Sequence, residues 1–495
     1  MFFKAIKIIL ISLFIFTPVA FGSMDIWAFS LMELGILLVI SLYAIQGIFF
    51  QVSGNPAYRP PNTGANPGGA IRFFGIKKNF SAFAFILLTL FLALILFQLI
   101  PLPSEVVKFL SPKTFELRQL LSCSNLNLPP SLISVSHPTY SPLSLFPFAT
   151  EIEFFKWLCL IGFFLFLLYG RLLDDTRIRS RLILVIMLVG AGEAFYGMIE
   201  FFSAHHYILY LDKGASMSSV MGTFINKNYF AGYLLMAIPL SMGFLVSRLA
   251  VQRNHFDGWR QILSSLEGKN LLIGFGIILM ILGLLFSASR MGIISLLISF
   301  SLLAILFRDR QKGKWFSKAP ILVVGLALLW AGWIGLDAVI SRFLSAPEDF
   351  TMRWMLWGDT LRILRDFPVF GSGLGTFPHI FPMYRSFHIQ GMFTHAENDF
   401  LQFISDVGAL GFGMLLIAFI FFLSKAVSKI RSISPAKSQR YIGLGSLVGI
   451  FALMFHSLVE RNIQIPANAF LFTFIFSLAL KPGLESTKKP IHGPE

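Results

Sequence analysis

Four distant parts of this chain carry basic and amide side chains beside the ends of apolar runs, where a multiply charged anion would find them. Arg290 stands in the turn Ser287-Ala288-Ser289-Arg290-Met291-Gly292 between two such runs. Lys227 and Asn228 open another, in Asn226-Lys227-Asn228-Tyr229. Arg353 lies in a long polar segment that closes with His395, Glu397 and Asn398, and His456, Glu460 and Arg461 follow a later apolar run. Arginine's planar fork grips phosphate oxygens through two parallel hydrogen bonds, so a convergence of these groups suits a phosphate-bearing ligand. A histidine near its ordinary pKa beside them can exchange a proton with a reacting hydroxyl.

Each residue also has a plainer reading. Arg290 reads as an interfacial arginine with its stem in the apolar layer, Arg353 as the anchor of an amphipathic helix, Lys227 as an end-of-span anchor and His395 as an ordinary loop histidine. Thr394 and Glu397 fit the Ser/Thr-x-x-Glu capping box. His456 and Glu460, four apart, can bond each other, and Glu460 can pair with Arg461. Glu193 and Glu200 share a face of one apolar run; carboxylates in a membrane are costly, so they read as secondary site residues or as partners of nearby arginines. His379, His388 and His395 lack the i, i+4 spacing of a helical zinc site, so no metal is expected. There is no phosphate loop and no Gly-x-Ser-x-Gly elbow. Gly371-Ser372-Gly373-Leu374-Gly375 follows no strand, so no dinucleotide or other cofactor is expected.

The elements that must position these groups are membrane helices. The 495 residues are 56% hydrophobic, with 56 Phe and mean hydropathy +0.74. About twelve apolar stretches approach the ~20 residues needed to cross a bilayer, near 5–22, 25–50, 80–100, 151–170, 181–203, 225–247, 270–287, 291–307, 319–338, 399–424, 438–459 and 465–480. With a cytoplasmic start, most of the 40 Lys and Arg fall in the tails and even-numbered turns, such as Arg308/Arg310/Lys312/Lys314/Lys318. That asymmetry obeys the positive-inside rule and predicts both termini in the cytoplasm. It also accounts for the net charge of +15 through contact with anionic membrane lipids, without a nucleic-acid partner. Long unbroken runs exclude a β-barrel. The fold class expected is an all-α polytopic membrane protein of about twelve transmembrane helices. A single transmembrane domain spans 1–481, a cytoplasmic tail covers 482–495, and a large extracytoplasmic loop, about 339–398, separates spans nine and ten. The first helix reads as uncleaved, 51–79 as a turn-rich cytoplasmic stretch, and 101–150 as an irregular, partly helical outer cap. Within the large loop, Thr351 to Asp366 reads as a helix along the membrane surface, with Trp354, Trp357, Leu361 and Leu364 on one face. Pro368 ends it, and the glycines after it make a flexible turn.

From about 220 to 480 the chain resembles the O-antigen ligase and O-antigen polymerase superfamily of bacterial envelope proteins. The resemblance is carried by an ordered series. It begins with Gly222-Thr223-Phe224-Ile225-Asn226-Lys227-Asn228-Tyr229-Phe230-Ala231-Gly232-Tyr233 and Ser287 to Gly292. Arg353-Trp354-Met355-Leu356-Trp357 and Gly371 to Gly375 follow. His395-Ala396-Glu397-Asn398-Asp399-Phe400-Leu401-Gln402 then precedes Gly408 and Gly411, and the series closes with His456 to Asn462 and Ile465-Pro466-Ala467-Asn468. Glu460-Arg461 departs from the less charged turn of many members.

The resemblance implies a glycosyltransferase C-like fold in the bacterial inner membrane, with its active site on the periplasmic side. The implied reaction is an inverting, metal-independent transfer of a glycan from an undecaprenyl diphosphate carrier to an acceptor hydroxyl on a glycan, lipid A-core or another molecule. Arg290, Arg353 and His395 are then the catalytic candidates, the arginines for the diphosphate and the histidine for the acceptor. Lys227, Asn228, Glu397, Asn398 and Arg461 are candidates for binding diphosphate or glycan, with Glu193, Glu200 and His456 behind them. The alternative class is a transporter or flippase of lipid-linked sugars, which predicts broken helices with charges at mid-bilayer and inverted repeats.

Overall fold

The computed structural model describes residues 2–53, 81–124, 139–170, 172–203, 207–212, 219–251, 268–307, 325, 329, 346–388, 391, 393–434 and 437–481. The membrane helices along the described chain are α1 (Phe2–Val19), α2 (Ile26–Ser53) and α3 (Ser81–Leu99); short α4 (Ser104–Leu110) and α5 (Pro112–Ser124) precede α6 (Pro147–Tyr169) and α7 (Thr176–Phe202). Then come α8 (Lys227–Val251), α9 (Gly268–Phe286), α10 (Arg290–Leu306), α11 (Ala346–Asp366), α12 (Phe377–Tyr384), α13 (Asp399–Ser432), α14 (Gln439–His456) and α15 (Pro466–Leu480). Among the described residues, eight helices are long and apolar enough to cross a membrane, and α10 and α15 are shorter apolar helices. The ninth expected span, 319–338, lies outside the described residues save for 325 and 329, as do most of 51–79 and the tail 482–495. Among the described residues, strand is confined to two antiparallel two-residue pairs, one joining Leu102–Pro103 to Tyr140–Ser141 and the other Tyr207–Ile208 to Leu211–Asp212.

The bundle is centred on α8, which is buried throughout its apolar window. Lipid tails are as apolar as leucine, so burial alone does not drive such helices together; close backbone packing does. The crossing of α8 and α14 shows how. A Cβ at Gly243 would overlap the Tyr441 carbonyl, and one at Gly445 would overlap that of Pro239, so the two backbones touch where both helices lack side chains. Phe14, Phe163, Phe470 and Phe474 fill the neighbouring layer, with Phe163 and Phe470 stacked at 4.7 Å.

Helix α13 is broken at Gly408, whose φ of 67° and ψ of −179° are non-helical. The break admits a second chain segment. Backbone N–H groups of Ala409 and Leu410 donate to the carbonyls of Pro368 and Val369, while those of Ser372 and Gly373 donate to Ser405 and Asp406. Gln98 of α3 closes the junction by donating to Phe370 and Asp406 carbonyls and accepting from Leu374 N–H. Gly371, Gly373 and Gly375 all have positive φ, and residues 371–374 are buried. The turn expected to be flexible is therefore a packed junction, because the broken helix supplies it with backbone partners.

Outside the main core a second apolar cluster unites α5, α11 and α12 through Leu117, Leu356, Ile363, Phe367, Phe377, Ile380 and Phe381. Helix α11 thus starts earlier than the expected Thr351 and has two apolar faces. Leu356 and Ile363 point inward, whereas Trp354 and Leu361, from the stripe legible in the sequence, are exposed. Ala396, also in this cluster, ties the layer to the segment that enters α13.

Candidate active site

The start of α13 is fastened to the loop that follows α14. Asn398 caps α13 by accepting from Leu401 N–H, and its amide donates to the Leu458 carbonyl at 2.6 Å. One oxygen of Asp399 accepts from both Asn462 and Ile463 N–H at 2.8 Å each. The Thr394–Glu397 capping box expected from sequence is not formed: the cap is Asn398, and Glu397 lies outside the helix with φ 49°. A left-handed conformation at a non-glycine residue costs ~1–3 kcal/mol and persists only where its surroundings over-determine it. Here they do. Ala396 N–H donates to Gln402, its carbonyl accepts from Trp357 Nε1, and Asn398 is held on the other side.

Two arginines meet in this frame. Arg353, on α11, donates to the Val459 carbonyl and forms an ion pair with Glu460 at 2.5 Å. Arg461 donates to His395 Nδ1 at 2.6 Å and lies over the Tyr229 ring at 5.6 Å. Thr394 Oγ1 also approaches His395 Nδ1, at 2.7 Å. The carboxylate of Glu397 feels both guanidiniums, and the Asn228 side chain lies near enough to Glu460 to favour its charged form. Burial raises the carboxyls of Glu397 and Glu460 above the usual carboxylate range, against the opposing pull of Arg353. His395 is pushed well below the usual imidazole range, first by burial and then by the positive charges of Arg461 and Lys156. It is therefore a poorer proton acceptor than the histidine of ordinary pKa that the sequence led one to expect.

Lys227 and Arg290 are the first residues of α8 and α10. Ser289 caps α10 by accepting from Gly292 N–H. A Cβ on Gly292 would come within 3.0 Å of the Ala231 methyl, so the first turns of the two helices abut. Tyr229 and Ala231 thus link α10 to the Arg461 side of the site. Arg353, His395, Glu397, Asn398, Arg461 and Asn228 come together, and Lys227 and Arg290 sit at adjoining helix starts.

The three residues of second rank have other positions. Glu193 lies in α7 and accepts from Thr223 N–H at 2.7 Å and from its hydroxyl at 2.9 Å, fastening the turn before Asn226 to the bundle. It is paired with a backbone turn and not with an arginine. Glu200 interacts with Tyr196 of its own helix. His456 is fully buried and contacts the Asn462 amide at 3.2 Å, so the expected His456–Glu460 bond is absent. Glu460 pairs with Arg353 and not with its neighbour Arg461.

Sequence reasoning overlooked Asp399 and Tyr229. Asp399 follows a capping Asn, and an acid at a helix start reads as a favourable dipole partner; its partners, Asn462 and Ile463, are more than sixty residues away. Tyr229 was hidden in an apolar run. The expected site was also mostly cationic, whereas Glu397 and Glu460 balance the two guanidiniums. Beneath Asp399, an apolar cavity of about 200 Å³ runs between α6, α13 and α15, lined by Trp157, Phe164, Phe403, Phe419 and Phe476. Among the described residues no group of three His, Cys, Asp or Glu side chains is arranged to hold a metal ion.

These features define a multi-pass helical membrane protein with a polar, arginine-bearing site at the ends of its helices. The O-antigen ligase family model matches residues 275–416, from α9 to just past the break in α13. Over that stretch the chain is similar to the O-antigen ligase family, which supports the resemblance carried by the motifs between about 220 and 480. It includes Arg290, Arg353, His395, Glu397 and Asn398, while Lys227, Asn228 and Arg461 lie beyond it. No curated protein matches the chain in sequence.

Proposed function

We propose that this protein is a glycosyltransferase of the bacterial inner membrane, moving a glycan from an undecaprenyl diphosphate carrier to an acceptor hydroxyl on the periplasmic side. The meeting of Arg353, Arg461 and His395 from three distant segments carries the reading. Breaking the sugar–diphosphate bond builds negative charge on the leaving phosphate oxygen. Guanidiniums already fixed in a poorly hydrated pocket stabilise that charge without reorganising. In this reading Arg353 and Arg290 bind the diphosphate, and Lys227 and Asn228 border it. The apolar cavity beneath Asp399 supports a donor with a long hydrocarbon chain.

His395 touches the acceptor, with Asn398 and Glu397 beside it. Direct attack of the hydroxyl at the anomeric carbon inverts its stereochemistry. The reaction needs no metal in this scheme, because the arginines supply the positive charge.

The test uses purified protein in detergent, an undecaprenyl diphosphate-linked oligosaccharide, and either lipid A-core or a second lipid-linked glycan as acceptor. Product is expected without a sealed compartment, and Arg290→Ala and His395→Ala abolish it at normal protein levels. A flippase yields no product in this assay. Full transfer by both variants would remove the assignment.

A further inference from the structure

Arginine has no acceptor atom, so the contact between Arg461 Nη1 and His395 Nδ1, at 2.6 Å, has one possible polarity: the guanidinium donates and Nδ1 accepts. Nδ1 therefore carries no proton, and in the neutral ring the proton resides on Nε2. In that state both nitrogens are committed. The lone pair of Nδ1 faces Arg461 and Thr394, and Nε2 presents an N–H. A histidine so held can donate a hydrogen bond to a substrate oxygen, but it has no free lone pair to receive the acceptor's proton. The residue two positions on, Glu397, is a carboxylate held in a left-handed backbone conformation between two pinned neighbours. It is incompletely buried and has both guanidiniums within electrostatic reach.

We propose that Glu397 is the proton acceptor of the transfer reaction, that His395 orients the acceptor as an Nε2–H donor, and that Arg461 is the positioning residue that fixes this tautomer. The proposal rests on the glycosyltransferase reading above. The acceptor oxygen forms a bond to the anomeric carbon, and the bond from that carbon to the diphosphate oxygen breaks. The electron pair of the broken bond leaves with the polyprenyl diphosphate, and the hydroxyl proton passes to Glu397. His395 keeps its proton throughout.

The groups facing Glu397 set the pH at which it can act. Arg353 approaches from α11, Arg461 and Glu460 from the loop after α14, and Tyr229 from α8; Lys156 of α6 acts on His395 in the same loop. Burial outweighs the two arginines and lifts the carboxyl above its usual range. A base of that kind is protonated and inactive in acid, and activity rises as pH passes its pKa.

The experiment uses the full chain in lipid nanodiscs. In protein labelled with [15N]histidine, the His395 resonances, identified by their loss in His395→Gln, should show a lone-pair-bearing Nδ1 and a protonated Nε2. Arg461→Gln should relax this preference. Transfer is measured from an undecaprenyl diphosphate-linked oligosaccharide to lipid A-core and to a second lipid-linked glycan. Glu397→Gln should lower kcat by roughly 100-fold or more, the scale of a lost general base, with little change in KM. It should also remove the acid limb of the pH profile. His395→Gln, which retains an N–H donor, should keep activity that His395→Ala lacks. The proposal is overturned if Nδ1 carries the proton, if Glu397→Gln works as wild type does, or if His395→Gln is as inactive as His395→Ala. Absence of transfer by the wild-type protein to either acceptor would instead sink the glycosyltransferase reading, and this proposal with it.

Discussion

Arg353 reaches 107 residues along the chain to pair with Glu460, and the same guanidinium donates to the carbonyl just before it, that of Val459. The side chains are 24% and 5% exposed, so the contact is largely withdrawn from water. It joins α11 to the loop that carries Arg461.

Removing one partner of such a buried pair strands the other and typically costs about 3–5 kcal/mol. Arg353→Ala should therefore lower thermal stability as well as transfer. Arg353→Ala combined with Glu460→Gln should regain most of the stability and none of the transfer. Melting curves and product formation on the same preparations separate the two effects; a double variant as unstable as the single one would show that the pair is not the source of the loss.

Asp399 fastens two backbone N–H groups with one oxygen. Asp399→Ala leaves both unsatisfied at about 1–3 kcal/mol each, so the loop from Ser457 to Ile463 should loosen and become open to proteolysis. Asp399→Asn keeps an accepting oxygen and should show a smaller loss. Equal protection of this loop in wild type and Asp399→Ala would refute that account.

Gly408 and Gly371 face each other where the broken helix meets the turn. A Cβ on Gly408 would overlap the Val369 carbonyl oxygen, and one on Gly371 would overlap the Asp406 backbone, with both residues at positive φ. Gly408→Ala and Gly371→Ala should each destabilise by at least ~2 kcal/mol, from backbone strain and overlap together. Gly413→Ala, at a position with open space around it, is the matched control. Comparable folded yields for all three would contradict the packed junction.

Glu193 acts on the site at one remove, through Thr223. Glu193→Ala should cost about 1–3 kcal/mol and reduce transfer by unseating Asn226, Lys227 and Asn228. Thr223→Val should be milder, and the double variant should lose less than the sum of the two, because they share one interaction. Strict additivity in the melting temperatures would argue against the coupling.

The depressed pKa of His395 also has a signature in stability. Below the unfolded-state value of about 6.5, the unfolded chain takes up a proton that the folded protein refuses. Stability contributed above that pH is lost as pH falls toward the folded-state pKa. Replacing His395 by Gln should flatten this acid-side decline; an unchanged pH dependence of melting would show that His395 is not buried as described.

What the sequence determined by itself was the material of the protein and the order of its parts. Apolar run length, basic-loop asymmetry and the spacing of Arg290, Arg353 and His395 are local properties of the chain, and hydrophobicity and charge act on them wherever the chain goes. The pairings were decided elsewhere. Glu460 abandons its neighbour Arg461 for Arg353, Glu397 lies outside the helix it was expected to cap, and Arg461 claims the Nδ1 of His395. The reason is physical: a buried charge takes whichever opposite charge or dipole the packing brings within hydrogen-bonding distance. Which groups arrive there depends on the break at Gly408 and the close crossing of α8 and α14, contacts between segments that no local pattern encodes.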